Sequence, residues 1–490
     1  MSSPEGEGAG GGSAPGHPGS PRPAVVLIDG EHYPPVVVDA LEQLAPRYRF
    51  LAAVFLGGTE KVAPSDPGRW ATEAERIYNL PVVSGPDQVA ALTAALDSYR
   101  PEVVVDASDE PVVGYPGRFR LISHTLARNV TYEGSDFRFT PPRLDRIATS
   151  PSLSVIGTGK RVGKTAISGY LARLLGETAE AGAGSRSGGG ASPAVVVVAM
   201  GRGGPAEPEV IDGSAVSLGS EELLRWSRAG RHAASDHFED AVLSRVLTVG
   251  CRRCGGGLAG EPLVSNVAEG ALRANELGAG MVVFEGSGSS IPPVATDARL
   301  LVAGAHQPRG QLAGYLGTYR VLISDAVVLT MAEAPLADVG AVRDLMTAVA
   351  QEKPGIPVIP VVFRHRPAQD VSGRRVACFS TAPSVQAPLL KRHLEEEHGC
   401  TVRLWSGNLS DRRALADDLR AAESTDVELF LTEIKAAAID MVAVEAERRE
   451  LPVVFMDNEP REVSPAQEGD LAETCRRLAE IAQERYERRG

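Results

Sequence analysis

The stretch LSVIGTGKRVGKTAIS, residues 153–168, decides the fold of the larger part of this chain. Leu153–Ile156 is a mostly apolar run of strand length, and Ala166–Leu175 follows a helical pattern. Between them lie Gly157, Thr158, Gly159, Lys160, Arg161, Val162, Gly163, Lys164 and Thr165. A strand, a glycine-rich turn and a helix in that order make a phosphate loop. Glycines let backbone N–H groups turn toward phosphate oxygens, and the helix N-terminus adds partial positive charge. Lys164 is placed to reach the β- and γ-phosphates, with Lys160 and Arg161 as further cations. The Thr165 hydroxyl is placed to bind Mg²⁺. The usual pattern has glycine at position 158, so Thr158 makes this loop a variant.

Outward from the loop, short apolar runs alternate with helical patterns. After Leu153–Ile156, strands are expected at Ala194–Met200, Met281–Glu285, Asp325–Leu329, Val358–Val362, Val376–Phe379, Val427–Leu431 and Pro452–Met456. Several are apolar throughout, as strands covered on both faces are. Upstream, Ala24–Ile28, Leu51–Leu56 and Val103–Asp106 read as strands, with helices around 36–44, 70–79 and 87–99. The expected fold is therefore α/β: two domains with mainly parallel sheets, the larger of the P-loop NTPase type. Residues 1–23 are Gly, Ser and Pro with almost no apolar content and read as a disordered tail. The N-terminal domain then spans 24–148, and the ATP-binding catalytic domain spans 149–490, with a flexible insertion at 179–193.

In such sheets ligands bind beyond the carboxyl ends of the strands. Glu285 ends the strand Met281–Glu285 and is followed by Gly-Ser-Gly-Ser, residues 286–289. A carboxylate at a strand tip beside a phosphate loop is where Mg²⁺ needs an oxygen ligand. Arg202, in the GRGGP turn at 201–205, is placed to hold an anion. In GCRRCGGG, residues 250–257, Arg252 and Arg253 stand beside flexible glycines, and paired guanidinium groups suit a doubly phosphorylated substrate. Cys251 and Cys254 leave zinc and redox readings open, but a structural zinc site needs four ligands and there is no second Cys pair. The segment 235–240, SDHFED, is read either as a base or cation site or as a helix cap, and FRHR at 363–366 as a base or phosphate contact or a surface loop.

Composition excludes several classes. The 490 residues carry a net charge of −13, which argues against a nucleic-acid-binding surface. No run approaches the ~18 apolar residues of a membrane helix. The N-terminus has neither the basic start nor the apolar centre of a secretion signal. A cytoplasmic location with no membrane partner is the expectation. Five cysteines are too few and odd in number for a disulfide scaffold.

The tips of the first sheet are polar: Asp29, Glu31 and His32 follow the first strand, and Lys61 follows the second. They are expected to line a substrate pocket with Arg202, Arg252 and Arg253. The loop by itself resembles the GT-x-x-x-VGKT loop of dethiobiotin synthetase and related ATP-dependent ligases. The segments IDGEHYPPV, FLGGTEK, GTGKRVGKTA, GCRRCGGG, FEGSGSS and FLTEIKAAAIDMV together resemble the cyclic 2,3-diphosphoglycerate synthetases, from about Ala24 to Pro460. That resemblance implies an ATP- and Mg²⁺-dependent closure of 2,3-diphosphoglycerate to a cyclic anhydride, giving ADP and phosphate. It also implies potassium dependence and a homodimer. Two rival classes share the loop: a ligase that activates a carboxylate, and a nucleotide switch with a protein partner. A switch needs a loop that senses the γ-phosphate, and the sequence offers no distinct one.

Overall fold

The structure, a computed structural model, describes residues 20–62, 67–182, 193–214, 224–225, 228, 236–435, 438–463 and 470–489, except for the side chains of 67–72, 179–182 and 236. The chain divides into two compact units, Met1–Pro141 and Pro142–Gly490. Both are α/β with mostly parallel sheets.

In the first unit, β1 (Arg22–Ile28), β2 (Tyr48–Phe55), β3 (Val82–Val83), β4 (Val103–Asp106), β5 (Thr131–Glu133) and β6 (Arg138–Phe139) form one sheet in the order β3-β2-β1-β4-β5-β6. Only β6 runs antiparallel to its neighbour. The chain steps one way from β1 and then returns to its other side at β4. The carboxyl ends of β1 and β4 therefore sit at the point of reversal, where such sheets bind ligands. Three of these strands, β3, β5 and β6, are two or three residues long and left no periodic signal. Arg22 and Pro23, read as tail, belong to β1, and residues 1–19 lie outside the described residues.

The second unit holds β7 (Ser152–Gly157), β8 (Val195–Gly201), β9 (Glu209–Asp212), β10 (Leu247–Cys254), β11 (Val264–Ser265), β12 (Met281–Glu285), β13 (Ala298–Gly304), β14 (Ala326–Thr330), β15 (Val358–Pro367), β16 (Arg375–Phe379), β17 (Thr401–Ser406), β18 (Leu429–Glu433) and β19 (Val453–Glu462). Their order is β11-β10-β8-β12-β7-β13-β14-β15-β19-β18-β16-β17, with β9 beside β10. The strands from β10 through to β15 run parallel; β15 meets β19 antiparallel, from Val361 opposite Glu462 to Pro367 opposite Met456. Helix Lys164–Gly182 and helix Leu471–Glu487 cover one face, burying Leu153, Val155, Ile167, Leu171 and Leu478 together. Helix Val267–Glu276 covers the other over Val196, Val198 and Phe284. Burial on both faces explains why β7 and β8 are uninterruptedly apolar or small.

Five strands of this unit, β9, β10, β11, β13 and β17, were not expected from the sequence. β13 lies fully buried between β7 and β14, yet carries few β-branched residues. β17 is an edge strand whose polar residues mask its period. The Cys–Arg segment, to which no strand was assigned, is the end of β10, held in parallel pairing to β8 from Leu247 opposite Val196 to Arg252 opposite Gly201. Helix Lys164–Gly182 also runs into the expected insertion, whose residues 183–192 lie outside the described residues.

Candidate active site

The phosphate loop joins the buried end of β7 to helix Lys164–Gly182. Gly163 has φ +79°, and a side chain there would meet the Phe363 ring at 2.4 Å, so only glycine fits on both counts. Thr158 explains its own departure from the usual glycine. Its hydroxyl donates to Gln307 Oε1 at 2.5 Å, and that same oxygen accepts the Gly304 N–H at 3.0 Å. Gln307 thus ties the start of the loop to the tip of β13. Val162 is buried, and its carbonyl accepts from Thr330 Oγ1 at 2.8 Å. Lys160 and Arg161 are exposed at the loop's crest, Arg161 with φ +62°.

Lys164 is 8 % exposed and its Nζ lies 3.3 Å from the Gly159 carbonyl, folded back under the loop. Thr165 Oγ1 donates to Glu285 Oε1 at 2.8 Å. Glu285 is 3 % exposed, and its Oε2 is buried without a hydrogen-bond partner among the described residues. An orphaned carboxylate oxygen beside a hydroxyl is a donor set that suits a hard cation such as Mg²⁺. Thr165 and Glu285 would hold it.

Beyond Glu285 the chain makes a tight turn in which Ser287 and Ser290 exchange backbone hydrogen bonds. Gly288, at φ +60°, is met by two cations: a Cβ there would stand 3.0 Å from Arg202 Nη2 and 3.3 Å from Arg253 Nη2. Arg202 is exposed and makes no ion pair among the described residues. Arg253 is 9 % exposed and donates to the Gly255 carbonyl at 2.7 Å and the Ser287 carbonyl at 2.8 Å. Arg252 does not join them. Neighbours on a strand face opposite ways, and Arg252 is exposed while Arg253 is buried. The pair that meets is therefore Arg202 with Arg253, in place of the expected Arg252 with Arg253. The same alternation separates Cys251, buried with its thiol pushed up to about 12 by burial, from exposed Cys254.

Two residues of this site were not singled out in the sequence. Gln307 follows β13, itself unread. Arg320, 5 % exposed, donates to the carbonyls of Ser289 at 2.8 Å, Leu258 at 3.2 Å and Leu316 at 2.9 Å. With Arg253 it fixes both ends of the 287–290 turn. Burial pulls the Arg320 guanidinium down to about 10. No local pattern distinguishes it from the other arginines.

In the N-terminal unit, Asp29 is fully buried and organises the strand tips. Its Oδ1 accepts the Glu31 N–H at 2.9 Å, the His32 N–H at 3.2 Å and His32 Nδ1 at 2.8 Å, and its Oδ2 accepts the Asp109 N–H at 2.7 Å. Both oxygens accept hydrogen bonds within the unit, so Asp29, expected at a substrate pocket, braces the strand-tip loops. Lys61 pairs with Glu60 and lies over the Tyr33 ring at 5.3 Å. Glu60 holds the Lys61 ammonium above its ordinary range. Glu31 and His32 are half-buried beside them.

Other sequence candidates are absorbed by structure. Phe363 covers Gly163, and Arg364 grips Glu333 through two bonds at 2.6 and 2.7 Å. His237 is buried against the Phe238 ring at 4.5 Å, on helix Asp236–Ser244. Among the described residues no group of three or more His, Cys, Asp and Glu side chains is arranged to hold a metal, and no helix is long and apolar enough to cross a membrane.

The chain matches three family models: the cyclic 2,3-diphosphoglycerate synthetase N-terminal domain over residues 23–140, its P-loop domain over 152–362 and its C-terminal domain over 367–459. A cyclic 2,3-diphosphoglycerate synthetase of Rubrobacter xylanophilus is 53 % identical over 436 residues, covering 89 % of this chain and 93 % of that one. One of Thermococcus gammatolerans is 44 % identical over 89 % of this chain and 93 % of its own, and one of Methanothermus fervidus is 40 % identical over 90 % and 94 %. The phosphate loop, the Thr165–Glu285 pair and the FEGSGSS turn all lie within the matched P-loop domain, and on these matches the chain belongs to the cyclic 2,3-diphosphoglycerate synthetase family.

Proposed function

We propose that this chain joins the two phosphates of 2,3-diphosphoglycerate into an intramolecular anhydride, consuming ATP with Mg²⁺ and releasing ADP and phosphate. One observation carries the reading: Thr165 and Glu285 pair at 2.8 Å on the phosphate loop, with an orphaned Glu285 oxygen, beside the turn where Arg202 and Arg253 meet. The first feature calls for phosphoryl transfer and the second for a polyanionic acceptor. The relatives' names supply the acceptor's identity.

In this reading an oxygen of one substrate phosphate attacks the γ-phosphorus of ATP. The bond to the bridging oxygen breaks and ADP leaves. An oxygen of the second substrate phosphate then attacks the first substrate phosphorus. The bond from that phosphorus to the oxygen bridging it to the transferred group breaks, and inorganic phosphate departs with that oxygen and its electron pair. Lys164 and the loop N–H groups steady the transferred group. Lys160 and Arg161 add charge at the crest. Bound at Thr165 and Glu285, Mg²⁺ would neutralise charge building on the phosphoryl oxygens. Arg202 and Arg253 hold two like-charged phosphates within reach of each other, and proximity supplies much of the rate of ring closure.

A homodimer is part of the proposal. Leu258, Leu263, Val264 and Leu272 are 54–81 % exposed around the sheet's edge strand β11, and a second copy of this chain is the occupant we assign to that face. The reading includes potassium dependence, checked by exchanging K⁺ for Na⁺. Its direct test is ADP release with and without 2,3-diphosphoglycerate. Release should require that substrate; release indifferent to it would refute the acceptor.

A further inference from the structure

We propose that the C-terminal part of the chain carries a second anion site, separate from the phosphate loop, that binds a small phosphate or phosphate monoester through Lys391 and Arg392. The sheet topology points to the place. The parallel strands β17-β16-β18 are joined by helix Ala387–His398 and helix Arg412–Glu423. Leu394 of the first helix packs with Val376, Cys378 and Leu431, whereas Leu415 and Leu419 of the second pack with Ala377, Phe379 and Phe430. Alternate strand residues face opposite ways, so the helices lie on opposite faces. The chain leaving β16 and the chain leaving β17 part there, and such a parting opens a ligand crevice.

A crevice of about 750 Å³ lies at that point, within the range of small-molecule sites. Ser384, Lys391, Arg392, Trp405, Asn408 and Asp418 line it. Its hydrogen-bonding balance favours an acceptor-rich ligand. Asp418 Oδ2 already accepts from Ser406 Oγ at 2.6 Å and from Asn408 Nδ2 at 2.9 Å. Glu395, at the rim, accepts the Val402 N–H at 3.0 Å. Lys391 and Arg392 make no ion pair among the described residues. Two neighbouring cations, beside two carboxylates that each hold neutral donors of the fold through one oxygen, suit a phosphate.

The crevice is joined to the phosphate loop by packed groups. The Trp405 ring stacks on His365 with centroids 5.6 Å apart, and His365 is fully buried on β15. Two residues earlier on that strand, Phe363 covers Gly163. An anion that shifts Trp405 therefore has a contiguous route to the loop.

Trp405 is also the reporter. In a full-length variant with Trp70→Phe and Trp226→Phe it is the sole indole. Inorganic phosphate and glycerol 3-phosphate are titrated separately at constant ionic strength. A saturable fluorescence change is expected, at least tenfold weaker in Lys391→Gln/Arg392→Gln and retained in Arg202→Gln/Arg253→Gln. Response to both probes identifies a free-phosphate site, and response to the ester alone identifies a monoester site; each supports the proposal. No response to ~50 mM of either, a response that chloride reproduces, equal affinity in Lys391→Gln/Arg392→Gln, or loss in Arg202→Gln/Arg253→Gln would overturn it. The readout needs no turnover, so it stands or falls independently of the ring-closure reading.

Discussion

Replacing the three arginines one at a time separates acceptor binding from scaffolding. Arg202 is exposed and holds no carboxylate among the described residues, so Arg202→Gln should leave the melting temperature unchanged. It removes one charge-assisted bond to the acceptor, worth about 1.5–3 kcal/mol, or roughly 12- to 150-fold in the KM for 2,3-diphosphoglycerate. Arg253→Met removes the same kind of bond and also the two bonds to the carbonyls of exposed Gly255 and of Ser287, which keeps the Ser290 N–H. Two lost hydrogen bonds within the fold cost about 1–3 kcal/mol of stability, a melting shift of a few degrees. Arg252 faces away on β10, and Arg252→Gln should change neither quantity. The assay is initial-rate ADP release with each substrate varied in turn, beside a thermal melt. The KM for ATP should move less than threefold in all three variants. An Arg202→Gln enzyme with the parent KM for 2,3-diphosphoglycerate, or an Arg252→Gln enzyme with the largest rise, would refute the convergence at Gly288 as the acceptor site.

Lys164→Ala should abolish ATP turnover while leaving the fold intact, as circular dichroism would report; turnover at the parent rate would remove the phosphate-loop assignment. Glu285→Gln should raise the Mg²⁺ concentration for half-maximal activity at least tenfold, and an unchanged Mg²⁺ titration would contradict its place as a ligand. Burial holds the Cys251 thiol up to about 12 and that of Cys475 likewise, so both stay protonated across pH 7–9. A thiol reagent at pH 8 should label exposed Cys254 first, with Cys251 and Cys475 labelled only after unfolding. Deleting residues 1–19 should alter neither activity nor melting, because β1 begins at Arg22 and the deleted stretch offers little apolar surface to offset ordering.

The phosphate loop was legible because its chemistry is local: strand, glycines, Lys164 and Thr165 lie within 14 consecutive residues, 152–165. Glu285 was legible by its position at a strand tip, although it stands 120 positions from Thr165. Arg253 was found for its type, but the choice of Arg202 as its neighbour was not, since that depends on how β8 and β10 align. Arg320 and Gln307 left no trace, because a buried arginine that binds three carbonyls and a glutamine that binds a threonine differ from solvated ones only in three dimensions. Asp29 shows the reverse case. A carboxylate after a glycine-flanked strand reads as a ligand contact, whereas four hydrogen bonds from its own unit engage it. β13 was missed because complete burial between two parallel strands needs no β-branched pattern.

The reaction itself gives the most direct test. Phosphorus NMR follows purified protein with MgATP and 2,3-diphosphoglycerate through turnover. The two monoester signals should disappear together as upfield anhydride signals grow, with one ADP and one phosphate formed per ring closed. ATP hydrolysed at the same rate with and without 2,3-diphosphoglycerate, and no anhydride signal at any Mg²⁺ or K⁺ concentration, would contradict the account.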